Sequence, residues 1–288
     1  QKDNLKQLYR TGQYMNTNVA VQGGDEKGTF RVSYSHLESN GVTHNNDYSR
    51  NSISLNASRN ISKRLKADFG AAWVRSDPQN PTAQGGADSP IYDFMYRAPR
   101  NYNSNYWMNN YIKPDGSGWN EDDPTEYTKN LFKLYENNIE QKEDNIRGNI
   151  NLDFMITDWL NLKLMGNMNK LSILREKKYL ADGKSNFDGS EYKIDKSDKS
   201  QYQVTAMLNA HHQFNDFGVN GSVAFEQYDT KTSFYNSQSQ GGLRLPGVYD
   251  MTNSVKQAKL DVRLDDKRKR INSVYAFVNL DWKSQVFL

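Results

Sequence analysis

Segments of alternating hydrophobicity recur along the whole chain. In the stretch LKADFGAAW at 65–73, every second residue is apolar: Leu65, Ala67, Phe69, Ala71 and Trp73. Side chains alternate between the two faces of a strand, so this pattern predicts a strand with one face in an apolar environment. About ten segments of roughly 9–13 residues behave in this way, which is the length of a tilted strand that crosses a bilayer.

The alternation predicts nine complete strands and the start of a tenth. We place them at 14–22, 29–38, 50–59, 65–75, 146–156, 160–172, 201–214, 219–229 and 271–283, with the tenth beginning near Gln285. The polar residues 1–13 predict the end of a loop or a short helix.

The connections between these strands are short on one side and longer on the other. Short turns are predicted at 23–28, 60–64, 157–159, 215–218 and about 284, and longer loops at 39–49, 76–145, 173–200 and 230–270. Outer-membrane barrels have short periplasmic turns and long extracellular loops. The predicted fold class is therefore all-β, a transmembrane antiparallel β-barrel.

Open sheet edges are not tolerated in hydrocarbon, so a sheet of about ten strands needs further strands to close it. We therefore expect residues 1–288 to be part of the barrel domain of a larger protein. The sequence opens without a Met or an apolar leader. We interpret this as a removed signal peptide or as a start inside a longer chain.

The composition agrees with a barrel and excludes several other classes. Hydrophobic residues make up 36%, and mean hydropathy is −0.92, which is low for one compact core. Aromatic residues reach 12%, which is high for a disordered chain. The net charge of +3 predicts no nucleic-acid partner, and the basic run at 267–270 is interpreted as a solvated loop end.

The two faces of the predicted strands receive separate expectations. The side chains expected to contact lipid are Ile53, Leu55, Leu65, Phe69, Ile150, Leu152, Leu162 and Leu164, with Trp73 and Trp159 in the aromatic girdles. Those expected to face the lumen are Asp68, Asn149, Asn151, Asp153, Lys163 and Asn209.

No constellation typical of catalysis or metal binding stands out. His211 and His212 are adjacent on a predicted strand and therefore point to opposite faces. The segment DGKSNFDGSE at 182–191 lacks the ligand pattern of a calcium loop, and NEDD at 120–123 is interpreted as a solvated acidic turn. We predict a protein that is not an enzyme and has no cofactor and no metal site.

The loop at 76–145 carries the candidate binding residues. It holds six of the seven prolines, and its aromatic residues alternate with asparagines. The candidate substrate-binding residues are Tyr102, Tyr106, Trp107, Tyr111 and Trp119. Aromatic faces stack on sugar rings or hold peptide side chains, and amides pair with hydroxyl or backbone groups. The alternative is that these aromatics pack the loop on the rim or on a partner protein.

Several segments resemble the SusC/RagA family of TonB-dependent outer-membrane transporters. They are GGDEKGTFRVSYSHLESNGV at 23–42, YSRNSISLNASRNISKRLKADFGAAW at 48–73, ITDWLNLKL at 156–164, LPGVYDMTNS at 245–254 and RINSVYAFVNLDWKSQVFL at 270–288. The resemblance implies a 22-stranded barrel with an N-terminal plug, a SusD-like surface lipoprotein and energy supplied through TonB. No plug and no TonB box is recognisable in this sequence.

The predicted function is TonB-dependent import of an oligosaccharide or a peptide across the outer membrane of a Gram-negative bacterium. The implied partners are a SusD-like lipoprotein, TonB acting through a part outside this chain, the cargo and the outer-membrane lipid. Two alternatives remain: a passive outer-membrane porin and a soluble carbohydrate-binding β-protein.

Overall fold

In a computed structural model, ten antiparallel strands form one sheet. The structure describes residues 3–4, 6–80, 94–96, 98–180, 190–283 and 286–287. The strands are β1 (Gln13–Asp25), β2 (Gly28–Asn40), β3 (Asp47–Ser62), β4 (Leu65–Gln79), β5 (Asn138–Met155), β6 (Leu160–Tyr179), β7 (Glu191–Phe214), β8 (Phe217–Gln238), β9 (Asp261–Trp282) and β10 (Val286–Phe287).

The strands follow one another across the sheet in chain order, from β1 to β10. Every pairing is antiparallel and joins two strands that are neighbours in the sequence. This meander confirms the predicted all-β antiparallel architecture and the predicted number of about ten strands.

The strands extend further than predicted on the side of the long connections. The predicted loops at 173–200 and 230–270 contract to 180–190 and 239–260, because β6, β7, β8 and β9 continue as paired strands. Where neither face of a strand lies in an apolar environment, the alternation that identifies a strand disappears while the backbone pairing continues.

Three of the four turns described at the opposite end are shorter than predicted, and the turn at 156–159 is one residue longer than predicted. They comprise residues 26–27, 63–64, 156–159 and 215–216. In the last of these, Asn215 has a φ of 51°, a conformation that asparagine adopts in two-residue hairpin turns.

One face of the sheet is apolar across nine strands. The register aligns Ile53 with Trp73, Phe69 with Ile150, and Leu152 with Leu164. All eight residues expected to contact lipid lie on this outer face, and large side chains there are exposed, as in Val274 at 75%. From Val274 to Trp282 the belt extends about 26 Å along β9, at about 3.3 Å per residue. At the strand tilt of about 40° typical of such barrels, this length corresponds to a height of about 20 Å, close to the apolar band of an outer-membrane barrel, which is about 25 Å tall.

Aromatic residues lie at both limits of this apolar belt. On the outer face of β4, Trp73 is the last apolar residue on the long-connection side, and Arg75 follows it on that face. Trp159 lies in the turn at 156–159 and is half exposed. Both tryptophans occupy the levels expected for the two girdles.

Within the described part of the connection at 80–137, two complete helices form where the sequence pattern predicted only a loop, and residues 94–96 are helical as well. The complete helices are α1 (Ser104–Asn109) and α2 (Tyr127–Glu136), and further 3-10 turns occur at Lys6–Leu8, Met251–Asn253 and Gln257–Lys259. In the described residues, no helix combines the length and apolar character needed to span a membrane.

Candidate functional site: a polar wall and a folded loop

The inner face of the sheet is a polar wall rich in amide side chains. One row crosses six strands at the same level, because consecutive members are register partners: Asn56, Gly70, Asn149, Asn167, Gln203 and Tyr228. The six residues that we expected to face the lumen all lie on this inner face. Amide groups both donate and accept, so the wall can pair with hydroxyl or peptide groups.

A concavity of about 660 Å³ lies against this amide row. Its lining includes Ser54, Asn149, Asn169 and Gln201. A Cβ atom at Gly70 would collide with the amide oxygen of Asn149, so glycine at this position leaves room for that side chain to lie across the wall.

Ion pairs and hydrogen bonds order the wall closer to the short turns. Lys163 lies 3.8 Å from Asp153, and Ser222 Oγ lies 2.8 Å from Asn209 Oδ1. These groups satisfy one another, which leaves the wall hydrophilic and close to neutral at this level.

The connection at 80–137 has a small hydrophobic core of its own. Its buried members are Leu8, Phe94, Tyr102, Tyr127 and Leu131. Phe94 and Tyr127 make an edge-to-face contact with ring centroids 4.6 Å apart. Because Leu8 belongs to this core, the segment before β1 is part of the folded loop.

Asn4 holds that segment against α1. The Ser104 hydroxyl donates to Asn4 Oδ1 at 2.8 Å, and the Ser104 backbone N–H donates to the same oxygen at 3.1 Å. The side-chain amide of Asn4 in turn donates to the backbone oxygen of Tyr102. The sequence pattern gave no sign of this role, since about 100 residues separate the partners and no local signal marks them.

Asp123 is the polar centre of the folded loop. It is only 1% exposed and accepts hydrogen bonds from the Tyr102 hydroxyl at 2.9 Å, the Thr125 hydroxyl at 2.8 Å and the Thr128 backbone N–H at 2.9 Å. Burial, together with the neighbouring Asp123 carboxylate, raises the pKa of Tyr102 well above its usual range. A buried carboxylate with several donors orders the loop around it.

The five candidate binding residues occupy different environments. Tyr102 and Trp119 are buried at 4% and 6% exposure, and the indole N–H of Trp119 has no partner in the described part of the chain. Tyr111 is half-buried and donates to Glu136 at 2.7 Å. Tyr106 is 51% exposed and makes an edge-to-face contact with Trp107, with centroids 4.9 Å apart. The structure therefore leaves Tyr106 at the loop surface, packs Trp107 partly against the loop core and buries Tyr102 and Trp119.

The connection at 239–260 also folds compactly. The Asn253 side-chain amide donates to the backbone oxygens of Leu245 and Val248, each at 2.7 Å, and Asp250 accepts from the Thr252 N–H at 2.7 Å. The segment LPGVYDMTNS at 245–254 is therefore a hydrogen-bonded turn rather than an extended loop.

The described residues contain no group of three or more His, Asp or Glu side chains arranged to hold a metal ion. His211 and His212 are consecutive in β7 and lie on opposite faces. Most of the segment at 182–191 lies outside the described residues.

The fold is that of known outer-membrane transporters. The chain superposes over 99% of its length on the RagAB peptide transporter, with a TM-score of 0.76 and 12% identity, and it covers 32% of that chain. The ferric-catecholate import receptor Fiu from E. coli K12 matches 93% of this chain, with a TM-score of 0.53 and 12% identity over 37% of its own length. The ferric citrate transporter FecA gives a TM-score of 0.52 and 10% identity, with 93% of this chain and 35% of that chain covered.

The chain spans about a third of the length of these structures. No family model matches the sequence, and no curated protein matches it. The resemblance to SusC/RagA-like transporters is thus confirmed at the level of the fold: a strand meander with the architecture of a TonB-dependent transporter barrel.

Proposed function

We propose that this chain forms part of the barrel wall of a TonB-dependent importer in the outer membrane of a Gram-negative bacterium. The proposed cargo is a large nutrient, an oligosaccharide or a peptide. A SusD-like surface lipoprotein acts as the lid, and TonB acts through a part of the protein outside this chain. The importer performs no covalent chemistry.

One observation carries this proposal. A continuous meander of ten strands has one apolar and one polar face, and nearly its whole length superposes on a peptide transporter. An apolar outer face suits hydrocarbon, and an amide-rich inner face suits a hydrated passage for a polar cargo.

The aromatic pair of Tyr106, which is exposed, and Trp107, which packs partly against the loop core, supports the choice of cargo class. The pair lies on the long-connection side of the sheet, the side that faces outward in barrels of this type. Aromatic rings beside asparagine amides provide stacking and hydrogen bonding together, which both sugars and peptides use.

Energised uptake is the decisive test. Cells that carry the full-length protein receive labelled oligosaccharides and labelled peptides, with and without a functional TonB. We expect uptake of one cargo class and its loss without TonB. Uptake that persists without TonB would establish the passive porin instead.

Membrane extraction separates the barrel from a soluble carbohydrate-binding protein. We expect the native protein to remain with the outer membrane and to need detergent for release, because its outer face exposes large apolar side chains across nine strands. Release into buffer without detergent would contradict the importer and favour the soluble alternative.

A further inference from the structure

Basic side chains interrupt the outer face just beyond the apolar belt. Lys231 of β8 and Arg268 of β9 are register partners, and Ser200 of β7 links them to Lys170 of β6. Arg270 lies one row closer to the belt, opposite Asp229. Four cations and one carboxylate thus share two neighbouring rows of the outer face.

Asp229 orients the two arginines of this basic patch, which we define as Lys170, Lys231, Arg268 and Arg270. The carboxylate of Asp229 accepts from Arg268 Nη2 at 2.8 Å and from Arg270 Nε at 2.7 Å, and its side chain is only 16% exposed. Both guanidinium groups stay at least half exposed, so donors remain for a further anion.

The two lysines add charge without a counter-ion. Neither Lys170 nor Lys231 forms a salt bridge with any residue that the structure describes, and both are exposed. The Lys170 ammonium lies 5.9 Å from the centre of the Tyr202 ring. The patch extends over three strand spacings, about 14 Å.

The position of the patch relative to the apolar belt indicates which kind of ligand it can bind. On β8 and β9 the apolar side chains Phe225 and Val274 lie four residues below Asp229 and Arg270. The row beyond the patch carries Asp198 and Asp266, so the excess of positive charge is confined to the level just outside the hydrocarbon. Phosphate groups of lipids lie at that level, next to their acyl chains.

We propose that this basic patch binds the phosphate groups of an outer-leaflet lipid whose acyl chains pack on the belt of β6–β9. The inference rests on the proposed outer-membrane location, since the long-connection side must face outward. It adds a partner on the outer face, separate from the cargo passage on the inner face. The arginine forks bind the phosphate oxygens, and the lysines contribute additional charge.

Strand β9 supplies a matched control. Lys267 and Lys269 alternate with Arg268 and Arg270 and therefore lie on the inner face. The variants Arg268→Gln/Arg270→Gln and Lys267→Gln/Lys269→Gln remove the same charge from the same segment, on opposite faces.

The test is titration of the detergent-purified full-length protein with lipid A that carries two phosphates, followed by native mass spectrometry. We expect the outer-face variant to bind about 25-fold more weakly, about fivefold for each cation removed, and the inner-face variant to bind as the unchanged protein. The proposal is overturned if the outer-face variant binds lipid A as tightly as the unchanged protein. It is also overturned if the inner-face variant loses as much affinity as the outer-face variant.

Two further arms define the ligand and guard against misfolding. Lys231→Gln leaves both contacts of Asp229 in place and should still weaken binding about fivefold; unchanged affinity overturns the proposal.

Inorganic phosphate at millimolar concentration should not displace lipid A, and lipid A without phosphates should bind weakly. Displacement by free phosphate would reveal a simple anion site and overturn the lipid assignment. A protein that binds lipid A but shows no TonB-dependent uptake would refute the importer alone.

Discussion

The hydroxyl of Tyr102 and the carboxylate of Asp123 form a 2.9 Å hydrogen bond inside the folded loop, where both side chains are almost completely buried. In Tyr102→Phe the ring still packs against Phe94 and Tyr127, but Asp123 loses one donor. A buried charged group that loses a partner costs about 1–3 kcal/mol. We expect faster proteolysis and faster hydrogen exchange in residues 98–137, with the strands unaffected.

Tyr106→Phe is the matched control for this substitution. It removes a hydroxyl from the same loop at a half-exposed position. Equal sensitivity of the two variants to protease would contradict the role assigned to Asp123.

Leu152 and Asn151 are adjacent in β5 and lie on opposite faces of the sheet. Leu152→Arg places a charge within the apolar belt and should cost about 2–4 kcal/mol near the bilayer midplane. We expect the folded, heat-modifiable form to disappear from outer membranes. Asn151→Arg should assemble normally, since its neighbour across the inner face is Asp68; assembly of both variants would be incompatible with a lipid-facing belt.

His44 gives the loop at 41–46 a pH dependence. Its ring makes an edge-to-face contact with Tyr135 of α2, with centroids 5.6 Å apart, and burial together with the positive charge of Arg10 lowers its pKa. The folded contact therefore favours neutral His44. The contact stabilises the folded loop fully above a pH of about 6.5. This stabilisation declines as the pH falls below that value, because His44 is protonated at a higher pH in the unfolded loop than in the folded loop.

Hydrogen exchange of residues 41–46 between pH 7 and pH 5 measures this effect, after correction for intrinsic exchange rates. We expect protection to decrease at the lower pH in the unchanged protein. His44→Gln should remove the dependence, and an identical decrease in that variant would assign it to other groups.

Tyr106→Ala tests the binding role of the exposed ring of the Tyr106–Trp107 pair. Loss of a ring that contacts the cargo should weaken binding by more than 1 kcal/mol, or about fivefold, if the ring is an anchor. Isothermal titration of the full-length protein with the imported cargo gives the affinity. Tyr96→Ala, another exposed tyrosine of the same connection, is the control. An unchanged affinity would assign the aromatics of this loop to packing or to a partner protein.

The alternation of residues predicted the parts of the strands that carry the apolar belt, because there one face is apolar and the other is polar. The alternation alone assigns Leu152 and Asn151 to opposite faces, and the register confirms this. Beyond the apolar belt, segments such as 173–179 and 261–270 pair without a hydrophobic period. Pattern alone could not identify them as strands.

The folded loop was less predictable from the sequence. Tyr127 and Leu131 are four residues apart, which is a local signal for the buried side of α2 that could have been used. No local pattern in the sequence distinguishes the buried Tyr102 and Trp119 from the exposed Tyr106. The burial of Tyr102 involves Leu8 and Asn4, which precede β1 and lie more than 90 residues from Tyr102 in the sequence.

Because each strand pairs only with its neighbours in the sequence, the sheet can assemble as successive hairpins. The β4–β5 pair has a much longer connection than the other pairs, since 58 residues lie between Gln79 and Asn138. Closing so long a connection has a higher entropic cost than closing a two-residue turn. The long connection therefore divides the sheet into two blocks, β1–β4 and β5–β10. We expect the compact core around Asp123 to shorten the effective length of this connection, and so to lower the entropic cost of pairing β4 with β5.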